Sequence, residues 1–211
     1  MSQPPIPFPG ELYRDIGAYF NEYADRVRAA ARTVDAGALA QAAALIETAI
    51  VEGKTVWACG NGGSAAIANT LQVDFYKGIS THTAIKPRVL SLNAETSTLT
   101  AVANDVGYEA VFSHQLERFG RPGDVLIIVS SSGNSPNILA AIKTAKAVGM
   151  PTIAMVGFDG GKAKIAADVA LHAEGQNYGV IEDVHQGLMH TLAQFIRMKH
   201  LGSEHFGQVR F

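Results

Sequence analysis

The sequence contains a single cysteine, Cys59, so there is no intrachain disulfide framework and no zinc knuckle built on paired thiolates. Charge is also sparse: Asp, Glu, Lys and Arg make up 17% of the 211 residues, and the formal net charge is -2. That balance supplies no basic field for a nucleic acid, and no segment reads as a helix-turn-helix. Apolar runs of roughly 18 residues, the length a membrane span requires, are missing. The opening stretch MSQPPIPFPGELYRD is rich in proline and shows neither a basic leader segment nor an apolar secretory core. These absences predict a soluble cytoplasmic protein with no membrane and no nucleic-acid partner. Two nucleotide fingerprints are also missing. There is no G-x-x-x-x-G-K-[ST], and no G-x-G-x-x-G opens the first helix of the later pattern, so no nucleotide cofactor is expected.

What is present is a large apolar fraction, 47%, enough for a substantial core. Cys59 closes an apolar run and reads as a buried structural thiol. Residues 9–52 read as two helices, with Tyr13, Ile16, Phe20 and Tyr23 recurring at helical spacing in the first, and Leu39, Ala43, Ile46 and Ile50 in the second. Asp35 is the expected N-cap of the second helix and Gly53 its stop. The aromatic stripe of the first helix lies outside the later pattern and is expected to bury itself on a neighbouring subunit.

From Gly53 the rhythm becomes short apolar strand, loop, helix. Strands are predicted at 55–59, 88–91, 125–129, 152–156 and 168–171. Helices are predicted at 65–76, 98–103, 109–119, 136–148 and 180–200. Continuous apolar strands alternating with helices argue for a parallel α/β sheet covered on both faces. The expected organisation is a helical extension at 1–52, one α/β domain at 53–202 and a tail at 203–211.

The stretches VWACGNGGSAAIANTLQ and LIIVSSSGNSPNILAAI echo each other as apolar strand, Gly/Ser/Asn loop, then helix. Both loops should fall at carboxyl ends of parallel strands, where open α/β sheets bind ligands. Gly60, Gly62 and Gly63 let the backbone approach a ligand closely. Ser130, Ser131, Ser132 and Ser135 set hydroxyls beside the free amides of a helix N-terminus, a combination suited to an anion and above all to a phosphate. One such loop is equally well explained as a flexible, capped turn. Two of them, each following a strand, favour a small phosphorylated ligand.

CGNGGSAA, the run from SLNAETSTLTAVANDVGYEA to VSSSGNSPNILAAI, and GFDGGKAK resemble the sugar-isomerase (SIS) domain family. Within it they are most similar to the sedoheptulose-7-phosphate, or phosphoheptose, isomerases, over about residues 13–198. The resemblance implies a doubly wound sandwich around a five-stranded parallel sheet, and a homotetramer with the N-terminal helices in its central bundle. It implies a phosphosugar isomerase that interconverts a ketose phosphate and an aldose phosphate through an enediol. Carried over residue by residue, it puts the phosphate on Ser130, Ser131, Ser132 and Ser135, and the sugar on Asn61, Gly62, Ser64 and Glu95.

The family's active centre has a His-x-x-x-Glu pair on the helix after the glycine loop, and Gln and His eight apart on the last helix. Many members hold zinc there. Here those positions are Thr70, Asp74, Glu182 and His190, so one of four is the usual residue. The carry-over makes Asp74 the candidate base, His190 the acid or second base, and Glu182 a substrate contact. The same three, Asp74, Glu182 and His190, are the candidate ligands for zinc or another divalent metal, since threonine does not replace an imidazole. His82, His114, His172, His200 and His205 show no ligand spacing, and Met189 and Met198 read as core or interface fillers. An alternative reading is a non-catalytic tetrameric scaffold that binds a replication initiator protein, as some close members do after losing the catalytic Glu.

Overall fold

Five short apolar segments become five parallel strands, β1 Thr55–Gly60, β2 Arg88–Ser91, β3 Val125–Ser130, β4 Thr152–Val156 and β5 Val169–His172, in the sheet order β2-β1-β3-β4-β5. The computed structural model describes residues 7–210. Every residue of β1, β3 and β4 is buried, which is why these strands read as unbroken apolar runs and not as alternation. The short edge strand β2 alternates exposed and buried.

Helices cover both faces. On one lie α1 Ile16–Ala31, α2 Ala36–Val51, α3 Gly63–Val73 and α8 Tyr178–His200. On the other lie α4 Thr96–Asp105, α5 Ser113–Phe119, α6 Pro136–Val148 and α7 Gly161–Ala166. The first face packs Val56, Ala58, Ile127, Val129 and Met155 under Ile46, Leu71, Ile181 and Leu192. The second packs Trp57, Cys59, Leu126 and Ile128 under Phe112, Leu116 and Ile142. Alternation along each strand divides its side chains between the two cores. Burial raises the Cys59 thiol well above its ordinary pKa, as expected of a structural cysteine. At the amino end of β1, the buried Asp124 carboxylate accepts from the amides of Thr55 and Arg121 and from Trp57 Nε1–H.

Helix starts follow local chemistry. Asp35 caps α2 by accepting from Ala38 N–H at 2.7 Å, and Asp15 caps α1 in the same way. Pro136 sits in the first turn of α6, where its missing N–H costs nothing, and Gly149 ends that helix in the left-handed conformation. The predicted helix at 65–76 instead starts at Gly63 and passes at Asp74 into a π-helical turn, Asp74–Ile79, which keeps Phe75 and Ile79 fully buried. The hydroxyls of Ser80, Thr81 and Thr83 donate back to the carbonyls of Tyr76, Lys77 and Ile79 and close this wider turn. The predicted 109–119 helix is shorter, a 3₁₀ turn at Tyr108–Ala110 followed by α5.

The N-terminal helices share the main core through Ala30, Ala42, Ala43, Ile46, Ala49 and Ile50. The aromatic stripe divides. Tyr13, Tyr19 and Tyr23 gather around Phe8, which is 6% exposed, while Ile16 and Phe20 stay 80% and 66% exposed. Among the described residues no single helix is long and apolar enough to cross a membrane.

Candidate active site

The chain reverses direction across the sheet between β1 and β3: β2 lies to one side of this pair, β4 and β5 to the other. The carboxyl end of that junction is the crevice where open α/β sheets take ligands. Both Gly/Ser/Asn loops arrive there, one from each strand. Asn61, Ser64, Ser130, Ser131, Ser132, Ser135, Tyr178 and Glu182 line one cavity of about 180 Å³.

The second loop is fixed by backbone. Gly133 has φ 62°, and a Cβ there would lie 2.1 Å from the carbonyl oxygen of Gly160, so only glycine lets the two loops touch. Gly157 N–H donates to Ser131 O, Ala163 N–H to Gly133 O, and Lys162 N–H to Asn134 Oδ1. Two hydroxyls are left over. Ser131 Oγ is buried and has no hydrogen-bond partner. Ser135 is the N-cap of α6, yet its side chain makes no capping bond. Hydroxyls at the positive end of a 13-residue helix, one buried without a partner and one uncapped, suit an anion's oxygen atoms.

The first loop is braced to the second. Asn61 Nδ2–H donates to Asn137 Oδ1 at 2.9 Å and Asn137 Nδ2–H returns the bond to Asn61 Oδ1 at 2.8 Å, while Tyr108 Oη–H donates to the same Asn61 oxygen. Asn61, expected to reach the sugar, thus spends its side chain within the protein. Asn137 and Tyr108 were not expected. The signal in the sequence was the one polar residue in the otherwise apolar start of α6. Gly63 leaves room for the Glu182 carboxylate, which would lie 2.6 Å from a Cβ there.

Glu95 is elsewhere. It caps α4, accepting from Ser97 N–H and Ser97 Oγ–H, and faces a different, wider cavity beside Gln72, Ser91 and Thr98. Those hydrogen bonds hold its carboxyl below the usual range. Glu95 does not line the serine-loop cavity, because capping directs its side chain along its own helix.

Asp74 and His190 do meet. The π-helical turn and α8 bring His190 Nδ1 to 2.8 Å from Asp74 Oδ2, in a cleft of about 550 Å³ lined also by Lys77, Gly78, Thr81 and Gln194. His190 Nε2 lies 2.9 Å from Gln186 Nε2. This cleft shares no lining residue with the serine-loop cavity. Glu182 belongs to the latter, because eight residues of helix separate it from His190 by about 12 Å.

The three candidate metal ligands therefore do not converge. Among the described residues no three His, Cys, Asp or Glu side chains are grouped to hold a metal. Thr70 donates to Ala66 O at 3.0 Å on its own helix. One carboxylate and one imidazole, with both ring nitrogens engaged, fall short of the three protein ligands a catalytic zinc takes. His185 is fully buried three residues after Glu182, beside the Val156 backbone but with no hydrogen bond of normal geometry at either ring nitrogen. Burial pushes its pKa down to about 4.

A parallel sheet with two serine- and glycine-rich turns at its switch point defines an α/β ligand-binding domain. The sequence profile of the SIS domain matches residues 18–157, and the chain belongs to that family. It is 42% identical over 159 residues to a phosphoheptose isomerase of Helicobacter pylori (strain P12), covering 72% of this chain and 78% of that protein. It is 34% identical over 176 residues to one of Nitratidesulfovibrio vulgaris, covering 83% and 78%. The solved phosphoheptose isomerase of Neisseria gonorrhoeae superposes with a TM-score of 0.79 at 34% identity, over 87% of this chain and 97% of that one. The Francisella tularensis phosphoheptose isomerase gives 0.78 at 28% identity, over 87% and 96%.

Proposed function

We propose that the chain is a phosphosugar isomerase that interconverts a ketose phosphate and an aldose phosphate, with sedoheptulose 7-phosphate or a related sugar phosphate as substrate. The observation that carries this reading is the serine cradle, where Ser131 and Ser135 hold two unbonded hydroxyls at the head of α6. Kinship to phosphoheptose isomerases supports the chemistry.

In this reading the phosphate rests on Ser130, Ser131, Ser132 and Ser135. Ser64, the Gly62 backbone and Glu182 take sugar hydroxyls. Asp74 removes the proton beside the ketose carbonyl, and a cis-enediol forms as the carbonyl oxygen gains a proton. The base returns its proton to the neighbouring carbon and the second oxygen loses one, leaving the aldehyde with no net change in atoms or electrons. His190 donates its Nδ1–H to Asp74, holding that carboxylate in place, while the protons on the two substrate oxygens exchange with solvent. No step is drawn through a metal, because the donors present do not form a three-ligand site.

The cradle and the acid–base pair lie in separate clefts of one chain, yet a substrate needs both. Assembly answers this. A homotetramer, seated on the exposed Ile16 and Phe20 of the helical extension, would bring the Asp74–His190 pair of one copy to the cradle of another.

Purified protein given sedoheptulose 7-phosphate, with products followed by NMR, tests the proposal. Aldose 7-phosphate that forms in the wild type and vanishes in Asp74→Asn supports it. A folded tetramer that binds the sugar phosphate but converts no ketose phosphate would overturn it in favour of a scaffold.

A further inference from the structure

Glu182, Gln186 and His190 stand four residues apart along α8 and form one stripe on the helix face. The middle member has no place in the proposed chemistry, yet it makes the most specific contact of the three. A carboxylate accepts and does not donate, so the 2.8 Å contact to Asp74 requires the proton on His190 Nδ1. An amide nitrogen donates and does not accept, so the 2.9 Å contact to Gln186 Nε2 requires the lone pair on His190 Nε2. The two requirements agree, and both are met by one neutral tautomer.

We propose that Gln186 is a positioning residue that, together with Asp74, pins the His190 ring at both nitrogens and holds the proton on Nδ1, facing the base. Two bonds at opposite edges of a planar ring fix its rotation about χ2 as well as its tautomer. One bond alone leaves the ring free to tilt. The amide also takes the ring nitrogen that a metal ion would otherwise bind. Gln186 thus accounts for the acid–base pair staying ordered where Thr70 supplies no second imidazole. The side chain is half-buried and the pair is partly open to solvent, so orientation here rests on side-chain bonds and not on core packing.

This inference rests on the isomerase reading for its kinetic consequence, but its structural part is tested without turnover. Ring ¹⁵N shifts of His190 would be recorded in the full-length protein, with His190→Gln identifying the resonances. The wild type is expected to show a protonated Nδ1 and an unprotonated Nε2. In Gln186→Leu the two nitrogens should move toward averaged values. In Gln186→Glu, which is acceptor-only at the same size, Nε2 should move to the protonated position.

If the isomerase reading holds, Gln186→Leu lowers kcat by about tenfold with KM within about twofold, the pattern of a misoriented acid–base group. Gln186→Asn, which keeps the amide but is shorter, should recover part of that loss. Unchanged ¹⁵N shifts in both Gln186→Leu and Gln186→Glu would overturn the proposal whatever the activity. Shifts that respond as expected in a protein without turnover would leave the lock standing and sink the isomerase reading alone.

Discussion

The serine cradle and the Asp74–His190 pair are built by opposite means. The cradle is held chiefly by backbone, through the Gly133–Gly160 approach and amide-to-carbonyl bonds from Gly157 and Ala163, with the Asn61–Asn137 side-chain brace across it. Its key hydroxyl, Ser131 Oγ, is buried. The pair is held by side chains alone, with His190 45% and Asp74 33% exposed at the side chain. A cradle of this kind is preorganised for one oxyanion, whereas the pair relies on two helices staying in register. The two regions should therefore fail differently, one through strain and lost binding, the other through lost chemistry with binding intact.

Asp74→Asn is the sharpest break. Removing the base should lower kcat by about 10²–10⁴-fold while sugar-phosphate affinity, read by calorimetry, stays near wild type. A matching loss of affinity would mean that the two clefts do not divide the work.

Gly133→Ala comes next. A Cβ at positive φ, pressed against the Gly160 carbonyl, should cost more than about 3 kcal/mol of stability in a denaturant titration and abolish phosphate binding. Normal affinity in this variant would remove the cradle from the site.

His185 sits on α8 between the two regions and gives a pH test. The unfolded chain takes a proton as the pH falls below about 6.5, whereas the buried ring resists until about 4. The stabilising contribution is therefore complete above the upper value and lost as the pH falls toward the lower one, about 3 kcal/mol in all. His185→Leu should flatten that part of the stability curve relative to wild type. An identical slope in both proteins would show that this ring does not titrate on unfolding.

The smallest effect belongs to Asn137→Ala. It breaks the reciprocal amide pair and leaves Asn61 Nδ2 unpaired, with Tyr108 still donating to its oxygen, at about 1–2 kcal/mol of stability. Affinity for inorganic phosphate should weaken by severalfold and kcat should change little.

The contrast also separates what the sequence disclosed from what it did not. Unbroken runs such as VLIIV marked strands because β1, β3 and β4 are buried on both faces, and Asp35 marked a helix start because capping is local. The serine loop was legible for the same reason: its hydroxyls and its helix start lie within a few residues. Asn61 and Glu95 each find a partner that residue type does not announce, Asn137 across the crevice and Ser97 along the helix. The metal trio was drawn from residue types at matching positions, and helical rise then kept Glu182 and His190 apart. Gln186 was present in the sequence as the middle of an i, i+4, i+8 series. Nothing in residue type alone distinguishes it from a solvated glutamine, since its meaning comes from the ring it touches.

The π-helical turn at Asp74–Ile79 has an implication for how this site can change. Such a turn is one residue wider than an α-helical one, so it behaves as an accommodated insertion. Deleting a single residue from Tyr76–Gly78 would let the helix relax to α geometry with its downstream end still in register. Ile79 would keep its place in the core, while Asp74 would lose the wide turn that presents it to α8. The position of the base is thus tied to the length of this segment as much as to its chemistry, and gain or loss of one codon there is a direct route between a paired and an unpaired carboxylate.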